Sequence, residues 1–262
     1  MTSQFFLFLL LVSTLSISAR SDTLRISNLY QDGMVLQRAP EAATIWGYGT
    51  IPDDAWVRVD CWGDRGTKMR FSGDRPILED GNTWKLILPP QTGGTTCNID
   101  IFEITEAGED VLLSLKEVLF GDVYLCGGQS NMVFAMNSVY NATQEMEEAK
   151  KYTKIRFTRV NRESAELPDD FMDISLAHGW SQPSSQYLAS MSAVCFLYAK
   201  NIYDQLGVPL GLIDSCIGGT AIECWSTQDG LDVCGIEQEQ PGCKETDTIH
   251  CNTRLYLSLI HI

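Results

Sequence analysis

Val123-Tyr124-Leu125-Cys126-Gly127-Gly128-Gln129-Ser130-Asn131-Met132 is the stretch on which the reading of this chain turns. A buried-strand pattern, Gly121 to Cys126, runs into two glycines, then a serine at a helix start. That layout lifts one hydroxyl above the carboxyl end of a strand, where open α/β sheets place their chemistry. Glycine lets the backbone turn sharply and lets a ligand approach with no Cβ in the way. A serine N–H at a helix start points toward an oxyanion forming there. Taken alone, a Gly-Gly-X-Ser run is more often an ordinary strand-to-helix turn.

A second segment changes the balance. Leu210-Gly211-Leu212-Ile213-Asp214-Ser215-Cys216-Ile217-Gly218-Gly219-Thr220 is again an apolar run ending in paired glycines, and Ala221-Ile222-Glu223-Cys224-Trp225-Ser226 comes next. Two such exits in one α/β domain can converge at one sheet edge, the first supplying a nucleophile and the second a further N–H donor. Here the chain resembles the SGNH-type esterases, specifically the sialate O-acetylesterase family. Gly-Gln-Ser-Asn-Met and Ile-Gly-Gly-Thr-X-Ile-Glu-X-Trp look like that family's nucleophile and oxyanion segments. The likeness extends upstream through Asp32-Gly33-Met34-Val35-Leu36-Gln37 and Thr44-Ile45-Trp46-Gly47-Tyr48-Gly49, and covers roughly Leu24 to Thr248.

The resemblance implies a serine esterase that removes acetyl groups from O-acetylated sialic acids, with no cofactor or metal. It assigns Ser130 as the nucleophile and Gly218 or Gly219 as an oxyanion donor beside the Ser130 N–H. Gln129 and Asn131 hold the nucleophile turn in shape or face substrate; Trp225 is a sugar contact or a core residue. In the family, an Asp-X-X-His motif supplies base and orienter, and a Gly-Glu-Ser-Asn segment supplies an oxyanion asparagine. No Gly-Glu-Ser-Asn segment occurs in this chain, and its one Asp-X-X-His spacing, Asp247-Thr248-Ile249-His250, falls in the tail. Of the three histidines, His178 matches no family motif and reads as a structural loop residue; His250 and His261 lie in a tail with no clear periodicity.

Composition sets the outer limits. A 44% hydrophobic chain of 262 residues can bury one or two cores. Phe5 to Val12 is an apolar run too short to span a membrane, with small residues after it; it reads as a signal peptide cleaved between Ser18 and Ser21. Nine cysteines, all beyond that segment, fit an oxidising compartment, hence a secreted or lysosomal protein. Cys61 can pair with Cys97, and Cys234 with Cys243, although sequence cannot fix connectivity. Asn141-Ala142-Thr143 is a glycosylation sequon. No Cys-X-X-Cys zinc spacing occurs. A net charge of −15 argues against nucleic acid or anionic membrane surfaces as partners, and makes an anionic sugar acid dependent on local donors.

Along the chain, residues 21–119 read as a small β-sandwich or jelly-roll-like domain. Val57, Val59 and Cys61 alternate with Arg58 and Asp60, and Trp84, Leu86 and Leu88 alternate with Lys85 and Ile87. Ile99 to Ile104 and Val111 to Leu119 add strands. Trp46, Trp56, Trp62 and Trp84 are core residues or a sugar platform. From Phe120 the period changes to alternating strand and helix. Asn141 is expected to cap a helix through Tyr152, with Glu147 and Lys151 paired. Strands are expected at Ile155 to Val160 and Leu210 to Cys216. Between them, Ser190 to Leu206 reads as a helix with the stripe Met191, Cys195, Tyr198, Ile202 and Leu206, stopped by Gly207. The fold class is α/β: a flavodoxin-like SGNH-hydrolase three-layer sandwich, incomplete here, preceded by the β-sandwich.

Residues 120–256 thus read as the N-terminal part of an esterase domain. Leu257-Ser258-Leu259-Ile260-His261-Ile262 matches the translation of CTG TCT CTT ATA CAC ATC, a sequencing adapter, so the expectation is a truncated chain, inactive without its base. Two readings stand beside the sialate esterase: a non-catalytic carbohydrate-binding protein built on the aromatic N-terminal half, and an acetylesterase of xylan or another polysaccharide. Oligomeric state leaves no mark on the sequence.

Overall fold

The computed structural model describes residues 24–49, 55–63, 68–71, 77–78, 83–161, 176–226 and 232–234. The expected signal segment, Cys243, His250, His261 and the 257–262 tail lie outside them. The described strands begin with β1 (Arg25–Ile26), β2 (Val35–Gln37), β3 (Thr44–Tyr48), β4 (Trp56–Gly63), β5 (Lys68–Phe71) and β6 (Ile77–Leu78). They continue with β7 (Thr83–Ile87), β8 (Thr96–Thr105) and the long β9 (Gly108–Gly128). Next come helices α1 (Ser130–Val133) and α2 (Ala142–Ala149), strands β10 (Ile155–Val160) and β11 (Leu176–Ser181), helix α3 (Ala193–Leu206) and strand β12 (Leu210–Cys216).

Strands β1, β3, β7 and β6 pair antiparallel, in that order, as one sheet. In a second, β4 pairs antiparallel with β5 and β8, and β8 with β9. The two share one buried cluster, because period-2 strands turn alternate side chains to a common side. Ile45, Trp46, Trp84, Leu86 and Leu88 meet Val57, Val59, Ile99, Ile101 and Leu115 in it. Cys61 and Cys97 form a disulfide there, as the spacing allows.

Alternation in β4 predicts Arg58 and Asp60 facing solvent, yet both are buried. Their charges are compensated, as burial demands. The Asp60 carboxylate lies 3.3 Å from Arg58 Nε and 2.7 Å from Lys68 Nζ. Arg58 also donates bidentately to Glu109 at 2.6 and 2.7 Å and lies over the Phe102 ring. The tryptophans divide: Trp46 and Trp84 are core, whereas Trp56 and Trp62 are 47% and 37% exposed.

β9 joins this region to the α/β part as one uninterrupted 21-residue strand, crossing position 119 without a break. It pairs with β8 up to Leu119, with β2 in parallel at Leu119 to Gly121, and with β12 in parallel from Asp122 to Gly128. Its ladder slips between Cys97 and Ile99 of β8, opposite Glu117, which adopts a positive φ of 54°. Such a bulge re-aims a strand. Only glycine fits at Gly121: a Cβ there would stand 2.0 Å from the Pro209 carbonyl oxygen, which accepts the Asp122 N–H.

The α/β sheet runs β11–β10–β12–β9. β9, β12 and β10 are parallel, and β10 and β12 have the bounds expected from the sequence. β11 is an addition: it pairs antiparallel with β10, so the sheet is mixed, and His178 lies on this strand rather than in a loop. Two register shifts and a glycine interrupt its alternation, which removes the period-2 signal. α3 starts at Ala193, where the Ser192 hydroxyl accepts the Cys195 N–H, and ends at left-handed Gly207. Its buried face is Ala193, Cys195, Phe196 and Ala199; Tyr198 and Leu206 of the expected stripe are exposed. The helix is therefore rotated from that stripe, toward the column bearing the small Ala199 and the planar Phe196. α2 ends at Ala149, before Tyr152. Asn141 takes a left-handed conformation and its side chain caps nothing, and Glu147 pairs with Lys150 instead of Lys151. No helix among the described residues is long and apolar enough to cross a membrane.

Candidate active site

The site begins at Cys126, the last buried residue of β9. It is bonded to Cys195 in the first turn of α3, which fastens the strand end to the helix above it. Gly127 and Gly128 come next; Gly128 has φ of 145°, in a region that side chains seldom enter. Gln129 then caps α1, its Oε1 accepting the Ser130 N–H at 3.3 Å. Ser130 is exposed at the first helical position, and its Oγ donates to the same Oε1 at 3.0 Å. Gln129 thus holds the nucleophile turn in shape, and it also occupies the N–H assigned to an oxyanion. Asn131 stands exposed beside it on α1.

The second glycine turn does converge on the first. Ile217 N–H donates to the Gly128 carbonyl at 2.9 Å, so the exits of β9 and β12 are bonded to each other. A Cβ added at Gly218 would lie 3.9 Å from Ser130 Oγ. Gly219, with φ of 82°, turns the chain away. Thr220 Oγ1 donates to the Ile217 carbonyl and accepts the Trp225 indole N–H, both at 2.9 Å. That pair seats the Trp225 ring against Gly127, whose Cβ position is 3.5 Å from it. Gly127, Gly128, Gln129, Thr220, Ile222 and Trp225 line a cavity of about 310 Å³. Its size suits a small ligand.

Other groups in reach are silent. Cys216 is buried and its thiol donates to the Cys126 carbonyl at 3.0 Å. Burial, reinforced by the Asp214 carboxylate, pushes that thiol far above the usual cysteine range. It stays protonated and is no nucleophile. His178 belongs to β11, separated from β9 by β10 and β12, and stacks on Tyr187 at 4.3 Å. The Ser130 proton therefore faces an amide oxygen, not a base. Among the described residues no group of three or more His, Cys, Asp or Glu could hold a metal ion. Two features went unread in the sequence: the Cys126–Cys195 bond, which joins residues 69 apart, and an ion pair between Arg159 and Asp214 beneath the second turn. Neither has a local spacing signal.

Comparison with known proteins points the same way. The mouse sialate O-acetylesterase is 34% identical over 238 residues, covering 88% of this chain and 42% of that protein. The human and Pongo abelii proteins of the same name are each 35% identical over 221 residues. The chain is similar to the sialate O-acetylesterases. It spans about two fifths of the length of those relatives. A crystal structure of a carbohydrate acetylesterase from Xanthomonas citri superimposes with a TM-score of 0.67 at 26% identity, covering 91% of this chain and 48% of that one. No family model matches the sequence. The likeness thus extends over most of the chain.

Proposed function

We propose that this chain carries the nucleophile and oxyanion turns of a secreted or lysosomal serine esterase that hydrolyses O-acetyl esters of sialic acids. The observation that supports it best is the bond from Ile217 N–H to the Gly128 carbonyl, which sets Gly218 beside Ser130 Oγ. Ser130 Oγ attacks the acetyl carbonyl carbon and yields its proton to a base; the carbonyl oxygen becomes the oxyanion. The N–H groups of Ser130 and of Gly218 or Gly219 stabilise it, once substrate displaces Gln129 Oε1. Collapse expels the sugar alcohol, which takes up the proton, and leaves acetyl-Ser130. Water then releases acetate. The base comes from outside the described residues, since a free hydroxyl is a poor nucleophile at neutral pH.

In this reading residues 21–119 form a β-sandwich, residues 120–256 belong to an SGNH-type three-layer domain, and Trp225 closes one wall of the acetyl and sugar pocket. The two disulfides and the exposed sequon at Asn141 fit the secretory pathway. The test is Ser130→Ala in the active protein, with acetate release from an O-acetylated sialic acid as readout. Loss of at least a thousandfold is expected; retained release would overturn the assignment. Competition against acetylated xylan ranks the substrates, and faster xylan turnover would replace sialic acid by a polysaccharide in the proposal.

A further inference from the structure

We infer that Asp214 and Arg159 are positioning residues that hold the oxyanion turn in register with the nucleophile, an inference that rests on the esterase reading above. The pair occupies adjacent strands. Arg159 of β10 lies opposite Asp214 of β12, and Asp214 lies opposite Cys126 of β9. Asp214 is almost wholly buried. A buried carboxylate is costly unless both oxygens are engaged, and apolar residues would fill such a position at no loss of stability. Both oxygens are engaged here, in two directions. Oδ2 accepts from Arg159 Nε at 3.0 Å and Nη2 at 2.6 Å. Oδ1 accepts the Cys216 N–H at 3.2 Å, an aspartate turn that closes the end of β12.

The donor turn begins directly after Cys216. The Cys216 thiol meets the Cys126 carbonyl, and the next N–H, of Ile217, meets the Gly128 carbonyl. The carboxylate therefore fixes the first amide of a segment whose next residues bridge to the nucleophile strand. The guanidinium extends the hold to the opposite side: Arg159 Nη2 also donates to the Ser190 carbonyl. The loop after Ser190 braces the chain just past the nucleophile helix. Ala193 N–H donates to the Phe134 carbonyl at 2.8 Å, and Met136 N–H to the Met191 carbonyl at 3.0 Å. One ion pair thus anchors both the start of the oxyanion turn and the loop that braces the chain after the nucleophile helix. Oxyanion donors act only when held about 2.7–3.1 Å from where the charge develops. A turn free to shift by half an ångström forfeits part of that, so the pair acts on the chemical step rather than on substrate binding.

The test uses Asp214→Asn, which keeps the shape and the Oδ1 acceptor, and Arg159→Met with Arg159→Lys beside it. The assay compares 4-nitrophenyl acetate with its thiono analogue, whose larger sulfur is a weak acceptor and a poor fit to an oxyanion hole. Expected are a kcat for the acetate reduced about 10- to 100-fold with KM within twofold, in line with a partial loss of one donor. The preference for oxygen over sulfur should narrow at least tenfold, with partial recovery in Arg159→Lys. An unchanged oxygen-to-sulfur preference, whatever the loss of folded protein, would overturn the inference. Ser130→Ala, run in parallel, separates the failures. If it retains acetate release the esterase reading falls; if it abolishes release while the Asp214 and Arg159 variants keep full kcat, only the positioning role falls. Amide hydrogen exchange at Cys216 to Gly219 in this chain requires no turnover. At least tenfold faster exchange in Asp214→Ala is expected, and unaltered exchange would also overturn it.

Discussion

The glycines of the two turns allow stability and chemistry to be separated by single methyl groups. At Gly218 the backbone is one that any residue adopts, and the one neighbour of an added Cβ within 4 Å is Ser130 Oγ at 3.9 Å, an ordinary contact. Gly218→Ala should therefore leave the unfolding midpoint within about 2 °C, since exposed substitutions without strain change stability by under ~0.5 kcal/mol. The same methyl stands where substrate must be: a carbonyl under attack sits about 3–3.5 Å from the nucleophile. Excluding it from the donors should lower kcat/KM by about 10²- to 10³-fold, the usual cost of one lost oxyanion contact. Gly219→Ala is the converse case. Nothing lies within 4 Å of its Cβ, but φ is +82°, so it carries roughly 1–3 kcal/mol of backbone strain. At ~2–4 °C per kcal/mol for a chain of this size, the midpoint should fall by roughly 2–12 °C. Gly128→Ala combines both penalties, with φ of +145° and a Cβ 3.1 Å from that of Met132. Differential scanning calorimetry and initial rates on the three variants decide the matter. A Gly218→Ala protein with undiminished kcat/KM would refute the placement of that turn against Ser130.

Three further outcomes are expected. Replacing Cys126 and Cys195 together by alanine should cost about 4 kcal/mol in denaturant titration, the loop-entropy value for 69 residues; a change below about 1 kcal/mol would show that the bond constrains little. Tyr30 is buried with its hydroxyl donating to the Thr44 carbonyl, and burial raises its pKa far above the ordinary value. The unfolded phenol ionises near pH ~10 while the folded one keeps its proton, so Tyr30 contributes stability below that pH which is lost above it. Urea midpoints at pH 8 and pH 10.5 should therefore fall further in the native protein than in Tyr30→Phe; equal falls would contradict this. Asn141, in the chain's single sequon, is exposed and makes no cap bond. Protein secreted from animal cells should lose a glycan's mass on amidase treatment, and Asn141→Gln should abolish the shift.

The parts legible in the sequence are those whose cause is local. Leu210–Cys216 is a largely apolar run that starts after Pro209 and ends just before Ile217-Gly218-Gly219, and Ile155–Val160, with Ile155, Phe157 and Val160 apolar, stops at Asn161. The same holds for Gly207, which ends α3 in the left-handed conformation that its lack of a Cβ permits. The encounter of Gly218 with Ser130 was readable as two strand exits that share a motif. Illegible were features decided by a distant partner. Arg58 and Asp60 alternate like surface residues, and only Glu109, 49 or more positions away, together with Lys68, makes their burial tolerable. The side of α3 that meets the sheet depends on the strands beneath it, and β11 shows its period only once β10 supplies a register. Gln129 Oε1 over the nucleophile hydroxyl is a side-chain rotamer, which no spacing encodes.

The continuity of β9 has a consequence for how such a gene can vary in length. Twenty-one residues run from the hairpin at Thr105 and Gly108 to the turn before Ser130 with no intervening loop. Deleting or inserting one residue within them would slide everything downstream by one strand rise, about 3.4 Å. It would also exchange the inward and outward faces of the strand. The nucleophile would then be withdrawn from Gly218, or Cys126 turned away from Cys195, by an event that alters no residue of the site. Insertions are best tolerated at the hairpin tip, Glu106 and Ala107, where an added residue extends the loop and the ladder keeps its count. The distance from that tip to Ser130 is therefore a measure of catalytic geometry, and a frame-preserving indel in this one segment should be as damaging as replacing the serine itself.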